Sequence, residues 1–169
     1  PETLELCRIL TPEHLPPERL WDEWKKLILK GIHISKGLQF LRLCGWLRYF
    51  PELKALVGCK QDPEWHPEGD VWTHTVLVCE ELFKLAEWGS LDRREQLVLL
   101  FTALFHDSGK PATTVKDSET GRVASPKHAL RSLGIVREVL TKLGCDYAMR
   151  EEIAMLVRFH GRPNFLLEK

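Results

Sequence analysis

From Asp92 to His106 the chain carries a segment that is apolar nearly all round a helix, with Leu97, Leu100, Phe101 and Leu104 on several of its sides. Such a helix belongs at the centre of a bundle rather than on its surface. Asp92-x-x-Glu95 has the spacing of a capping box at its start, and Ser108-Gly109 before Lys110-Pro111 marks its end. That end is His106-Asp107, where an ionised carboxylate is costly to bury unless it is paired or holds a cation. Neighbouring helical residues point about 100° apart, yet at a helix terminus an imidazole nitrogen and a carboxylate oxygen can converge on one ion. Imidazole with carboxylate suits a divalent transition metal, and carboxylate oxygen also suits Mg²⁺ or Mn²⁺. The plainer alternative is a simple helix C-terminus, with His106 facing the dipole and Asp107 bonded to a turn.

The surrounding segments also repeat with a helical period, and strand-like alternation is almost absent, so the fold class is all-α. Helices are expected over 18–30, 36–50 with a short turn to Val57, 71–88 capped by Asp70, 92–107, 125–143 and from Asp146 to about His160. Residues 58–70 form a turn-rich loop that carries Trp65 and His66. Residues 111–125 form a polar loop, either a mobile lid or a surface excursion. About seven helices result, divided into an N-terminal helical segment at 1–57 packed on a core at 58–169, together one compact unit.

Composition narrows the function classes. With 44% hydrophobic residues the chain can bury a core, and equal counts of 24 basic and 24 acidic residues leave no bulk positive field for coating a duplex. The longest near-apolar run, 98–105, is far short of the roughly 20 residues of a membrane span. The five cysteines are scattered without C-x-x-C spacing, which fits a reducing cytoplasm and no disulfide framework. The chain begins at Pro1 rather than Met, which leaves room for a preceding targeting segment or domain.

Five of the seven histidines, His66, His74, His106, His128 and His160, fall in or beside expected helices. His106-Asp107-Ser108-Gly109-Lys110 matches the H-D-x-G-K signature of the HD metal-dependent phosphohydrolase superfamily, with His74 upstream as its partner. The stretch Trp65-His66-Pro67-Glu68-Gly69-Asp70-Val71-Trp72-Thr73-His74-Thr75 resembles the HD domain of bacterial tRNA nucleotidyltransferases, the CCA-adding enzymes. It is also similar to the HD module fused to a polynucleotide kinase in RNA end-healing enzymes. Gly45-Trp46-Leu47 and Phe50-Pro51-Glu52-Leu53 resemble the "G-L-L … F-P-E-L" stretch of the same families, and the likeness covers roughly 20–165. Neither a G-S-x-x-R-G-x-x-x-D-x-D nucleotidyltransferase signature nor a phosphate loop is present, so the chain as given cannot add CCA or phosphorylate an end by itself.

The resemblance implies an HD-domain helical bundle and a phosphohydrolase acting on phosphomonoesters or cyclic phosphodiesters of nucleotides or RNA ends, a 2′,3′-cyclic phosphodiesterase and 2′/3′-phosphatase. It implies His74, His106 and Asp107 as ligands of one or two divalent ions, Mn²⁺, Ni²⁺, Co²⁺, Mg²⁺ or Zn²⁺, with His128 and His160 as additional ligands. The final Asp of many family members is absent here. Either Asn164, a distant carboxylate such as Asp146 or water fills that place, or the second metal is weak. Lys110 is expected to hold a phosphate oxygen, and Arg131, Arg158 and Arg162 to neutralise charge, against the ordinary reading of solvated helix faces. Trp65 and Trp72 flank the site for stacking on a base or ribose, whereas Trp21, Trp24, Trp46 and Trp88 belong to the core. His66 lines the substrate pocket, ligates metal or packs structurally, with pocket lining preferred; in the first role it joins Asp107, Lys110 and Arg131 as a catalytic group. Asp70 either caps its helix or orients a ligand, the cap being preferred. The expected partners are a nucleotide or RNA-end phosphate and a fused nucleotidyltransferase or kinase domain, with no membrane. The contrasting readings are a non-catalytic helical module that binds tRNA or other RNA, and a nucleotide sensor with a degenerate metal site.

Overall fold

The computed structural model describes residues 2–162 and is an all-α bundle with one minute antiparallel sheet. Its helices are α1 (Glu2–Ile9), α2 (Pro17–Lys30), α3 (Ile34–Leu43), α4 (Pro51–Lys54), α5 (Val71–Leu82), α6 (Arg93–Phe105), α7 (Lys110–Thr113), α8 (His128–Lys142) and α9 (Tyr147–Phe159). Strands β1 (Val115–Lys116) and β2 (Val123–Ala124) pair with Val115 opposite Ala124. No helix among the described residues is long and apolar enough to cross a membrane.

The apolar girth of α6 places it at the centre: seven of its residues, from Leu97 to Phe105, are buried. It packs on α2, α5 and α9, and α9 in turn packs on α8. The Trp21 and Phe101 rings stack with centroids 5.0 Å apart, and Trp24 meets Phe50 edge-on at 5.3 Å. One hydrophobic cluster runs without a break from Trp24 and Ile28 through α6 to Ile153 and Val157. Three helix starts carry the expected side-chain caps. Asp70 accepts from the Thr73 N–H at 2.8 Å, Asp92 and Glu95 exchange the two bonds of a capping box, and Asp146 accepts from Met149 at 3.0 Å.

Other boundaries differ from the sequence reading. An N-terminal helix precedes the first expected one; it buries no residue and is held by its carbonyls, which accept from Trp46 Nε1 (Cys7, 2.6 Å) and the Arg48 guanidinium (Arg8, 3.1 Å). The helix expected over 36–50 stops at Leu43, because Gly45 takes a left-handed φ of 77° and turns the chain into one 3₁₀ turn at Trp46–Tyr49. The helix expected to reach Trp88 stops at Leu82, where Phe83 and Trp88 pack ring on ring at 4.6 Å across a tight turn. The loop at 111–125 is neither lid nor plain excursion, since α7 and the β1–β2 pair organise it. Helix α8 starts at His128 rather than Ser125, after Lys127 in left-handed conformation.

These ends meet at one place. The C-terminus of α6, the first turn of α5, the N-terminus of α8 and the C-terminus of α9 gather around Asp107.

Candidate functional site

Asp107 follows directly on α6 and is 2% exposed, and its Oδ1 accepts no hydrogen bond among the described residues. Four imidazoles face it through Nε2: His106 at 3.2 Å and His74 at 3.9 Å from Oδ2, His128 at 3.3 Å and His160 at 3.7 Å from Oδ1. The far nitrogen of each ring is fixed. His106 Nδ1 donates to the Ala103 carbonyl, His128 Nδ1 to Ser125 and His160 Nδ1 to Val157, all at 2.7 Å, and His74 Nδ1 is 2.6 Å from Glu68 Oε1.

A carbonyl only accepts, so Nδ1 carries the proton in three of these rings and the neutral ring presents an Nε2 lone pair. The local fold sets this up: each of the three histidines lies three residues beyond its carbonyl, those of Ala103 and Val157 in the last turns of α6 and α9, where carbonyls lack a helical partner, and that of Ser125 in the turn that leads into α8. Lone pairs on four nitrogens therefore crowd an ionised, buried carboxylate, with His128 and His160 Nε2 only 3.3 Å apart. A proton on a ring or a cation between the donors relieves the crowding. Burial, joined for His74 by the neighbouring His106, holds His74 and His160 below the ordinary histidine range, which works against the proton.

Two sets of three donors, His74–His106–Asp107 and Asp107–His128–His160, each have ligand atoms within 4.8 Å of one another and share the carboxylate. Four imidazole nitrogens with one carboxylate fit a borderline transition ion such as Mn²⁺, Co²⁺, Ni²⁺ or Zn²⁺ better than Mg²⁺, which prefers an oxygen shell. Burial pushes the Asp107 carboxyl up, but His106 in its protonated form and the Lys110 ammonium outweigh this and hold it well below the usual carboxylate range. The Asp107 carboxylate is thus ionised near neutral pH.

Lys110 is itself buried, with Nζ 2.8 Å from Asp107 Oδ2 and 2.7 Å from Gln61 Oε1. His66 borders a hollow that Lys110, Trp65 and His128 also line, and its Nδ1 lies 3.0 Å from Glu68. Trp65 stands at its rim, 75% exposed. Trp72 does not join the site: it is fully buried in the core and offers no surface for a base. The reason is angular, since Trp72 and His74 lie about 200° apart around α5. Arg131 is exposed on α8, and the guanidiniums of Arg158 and Arg162 lie over the Phe159 ring at 5.4 and 4.4 Å. None of the three side chains makes a hydrogen bond or ion pair among the described residues. Asp146 is spent as the cap of α9, and Asn164 lies outside the described residues.

Two participants went unassigned in the sequence. Glu68 accepts from both His66 and His74; burial pushes it up, but its own backbone N–H and the two histidines bring it down to about 2. Gln61 anchors Lys110. The sequence signal for Glu68 was its place in the Trp65–Thr75 stretch, a carboxylate six residues before His74 on a turn-rich loop. Glu68 is the partner that orients His74, and on the metal-site reading Glu68→Gln is expected to weaken Ni²⁺ or Mn²⁺ binding about 10–100-fold in calorimetric titration. Unchanged affinity contradicts this role.

The lowered His74 and His160 values also set a pH dependence. Above the ordinary value of 6.5 neither the folded nor the unfolded chain protonates these rings. Below it the unfolded chain takes up protons first, so stability falls as pH drops from 6.5 towards the folded-state values. The thermal midpoint of metal-free protein is expected to decline between about pH 7.5 and about pH 5.5. A flat or rising midpoint contradicts the assignment.

Comparison with known proteins adds a context. The family model described as "Probable RNA and SrmB- binding site of polymerase A" matches residues 1–56. A protein named Multifunctional CCA protein from Aliivibrio salmonicida is 30% identical over 165 residues, 95% of this chain and 37% of the relative. The protein of that name from Tolumonas auensis is 32% identical over 175 residues, 99% of this chain and 39% of the relative. That from Acinetobacter baumannii strain SDF is 38% identical over 122 residues, 69% and 27% respectively. The chain thus spans well under half the length of these relatives. No solved structure matches it.

Proposed function

Since this chain is homologous, over nearly its whole length, to one segment of the Multifunctional CCA proteins, we propose that it works on tRNA-related substrates as a divalent-metal phosphohydrolase. Its substrates are phosphomonoesters or 2′,3′-cyclic phosphodiesters of nucleotides or RNA ends. The observation that carries this reading is the convergence of four tautomer-fixed imidazoles on a buried carboxylate that lacks a hydrogen bond on Oδ1. The resemblance of His106-Asp107-Ser108-Gly109-Lys110 to H-D-x-G-K supports the reaction class.

His74, His106, His128, His160 and Asp107 hold the ion or ions, with Asp107 shared between the two donor sets. When bound, a divalent ion polarises a phosphoryl oxygen and lowers the pKa of a coordinated water towards neutrality. Lys110 keeps one N–H beyond its bonds to Asp107 and Gln61 and directs it at a non-bridging phosphate oxygen in the adjoining hollow. His66 has its Nδ1–H held by Glu68, so in the imidazolium form its Nε2–H donates the proton that the departing ribose oxygen takes up. Trp65 offers its exposed face to the base. Arg131, Arg158 and Arg162 neutralise charge on the phosphate and on the parts of the substrate beyond it.

The test is phosphate release from 2′,3′-cyclic and 2′- or 3′-monophosphate nucleotides with Mn²⁺, Ni²⁺, Co²⁺, Zn²⁺ or Mg²⁺. Turnover that depends on the metal is the expected result. A folded, metal-loaded chain that turns over none of them overturns the reading in favour of a non-catalytic RNA-binding module. That second reading draws its support from the RNA-binding-site match over residues 1–56.

A further inference from the structure

Two contiguous hollows open beside the Asp107 centre. The first, of about 190 Å³, is the one bordered by Trp65, Lys110 and His128. The second, of about 510 Å³, continues from it, with Gln61, His66 and Val123 common to both, and runs out to Lys60 and Lys116. One wall is the turn-rich stretch 58–70 and the other is the β1–β2 pair. The walls are fixed to one another: Asp62 Oδ2 accepts from the Val123 N–H at 3.3 Å, and Arg122 reaches Glu64 at 4.0 Å. Behind them, Thr114 Oγ1 and Ser125 Oγ are 2.8 Å apart, closing the base of the strand pair. The groove is therefore built before any ligand arrives.

Its chemistry changes along its length. The inner end holds His128, one of the donors around Asp107, with His66 and Lys110, and the rim holds an exposed indole. The outer end holds two exposed ammonium groups, Lys60 and Lys116, neither of them in an ion pair among the described residues. The acidic side chains on its border are already committed to backbone. Asp62 accepts from the N–H groups of Glu64 and Val123, and Asp70 from those of Gly58 and Thr73. A single nucleotide with its phosphate at Asp107 and its base at Trp65 uses the inner hollow and leaves the larger outer one, with both free cations, unfilled. Anions that recur at fixed spacing beyond the terminal phosphate fill it.

We infer that the outer hollow is a track for a single-stranded polynucleotide, whose internal phosphates lie against Lys60 and Lys116 while its terminal phosphate reaches Asp107. This rests on the phosphohydrolase reading and narrows its substrate class to the end of a strand rather than a free nucleotide.

The experiment compares the Mn²⁺-loaded full chain with a Lys60→Gln/Lys116→Gln variant on two substrates, a 2′,3′-cyclic mononucleotide and a short RNA ending in 2′,3′-cyclic phosphate. Anisotropy of the same RNA, fluorescently labelled, is followed against salt. The expected result is a KM for the RNA raised about tenfold with the mononucleotide KM unchanged, and a salt slope shallower by about 1.4, two single-strand phosphate contacts at about 0.7 each. Equal loss on both substrates, or no loss on either, overturns the track and leaves the hydrolase reading standing. If the parent chain hydrolyses neither substrate, the hydrolase reading falls and the binding arm decides alone. An unchanged affinity and salt slope then overturn the track.

Discussion

Asp107→Asn is expected to remove metal-dependent phosphate release while leaving the metal-free chain folded. On the proposed metal-site reading the carboxylate is the one oxygen donor common to both sets, so its loss would disable the ion's support of the phosphoryl group. A loss of about 4 kcal/mol of transition-state stabilisation corresponds to roughly 10³-fold in rate. The amide keeps the carboxyl's shape: its oxygen still accepts from Lys110, and its NH₂ donates to imidazole lone pairs that otherwise face a bare carboxylate oxygen. Unfolding of the metal-free variant should accordingly stay within about 1 kcal/mol of the parent. Asp107→Ala differs, because it strands the buried Lys110 ammonium, and about 3 kcal/mol of stability goes with it. Phosphate release, bound metal per chain and thermal melts read the three quantities separately. An Asn variant that still loads metal and turns over at the parental rate removes Asp107 from the centre.

Gly109→Ala is expected to be strongly destabilising. A Cβ there runs into the His128 carbonyl oxygen and lies 2.7 Å from the Ser132 nitrogen and 2.8 Å from Arg131 Cβ. Two of these are backbone atoms of the first turns of α8, which cannot rotate aside, and the Gly109 N–H also donates to Ser132 Oγ at 2.8 Å. The clash should cost about 3 kcal/mol and push α8 outward, taking His128 from Asp107, so metal affinity falls with stability. Gly134→Ala, on the exposed side of the same helix with nothing within 4 Å of an added Cβ, is the control and should stabilise by about 0.5–1 kcal/mol. Thermal unfolding of the two variants in parallel checks both signs. Equal effects contradict the close approach.

The features readable in the sequence are those that rest on local rules. Asp70, Asp92 with Glu95, and Asp146 announce their helices because caps are fixed by a spacing of three residues. The central place of α6 follows from its apolar girth. The gathering of His74, His106, His128 and His160 on Asp107 follows the family resemblance, since no local rule places residues of four helices together. What periodicity could not supply is the direction in which a helix faces. Trp72 and His74 share one helix and one motif, yet α5 turns the indole into the core and the imidazole towards Asp107. Helix α1 was invisible because none of its residues is buried, so no apolar stripe marks it. The role of Glu68, though the residue stands in the Trp65–Thr75 motif, was unreadable because its partners are imidazoles brought near by a loop, and loop paths have no periodicity to read.

The three carbonyls of Ala103, Ser125 and Val157 that hold His106, His128 and His160 have a consequence for how the chain opens. Each ring is tied to the backbone of its own helix end, so swinging an imidazole away from Asp107 means fraying that end. Fraying termini are ordinarily the cheapest motions in a helical protein. Here they are coupled to one buried carboxylate, and a ligand that bridges the rings acts on helix ends far apart in sequence as a cross-link does on distant residues. Amide exchange at the end of α6, the start of α8 and the end of α9 should therefore slow together when metal is added, as one cooperative unit rather than three frayed tips.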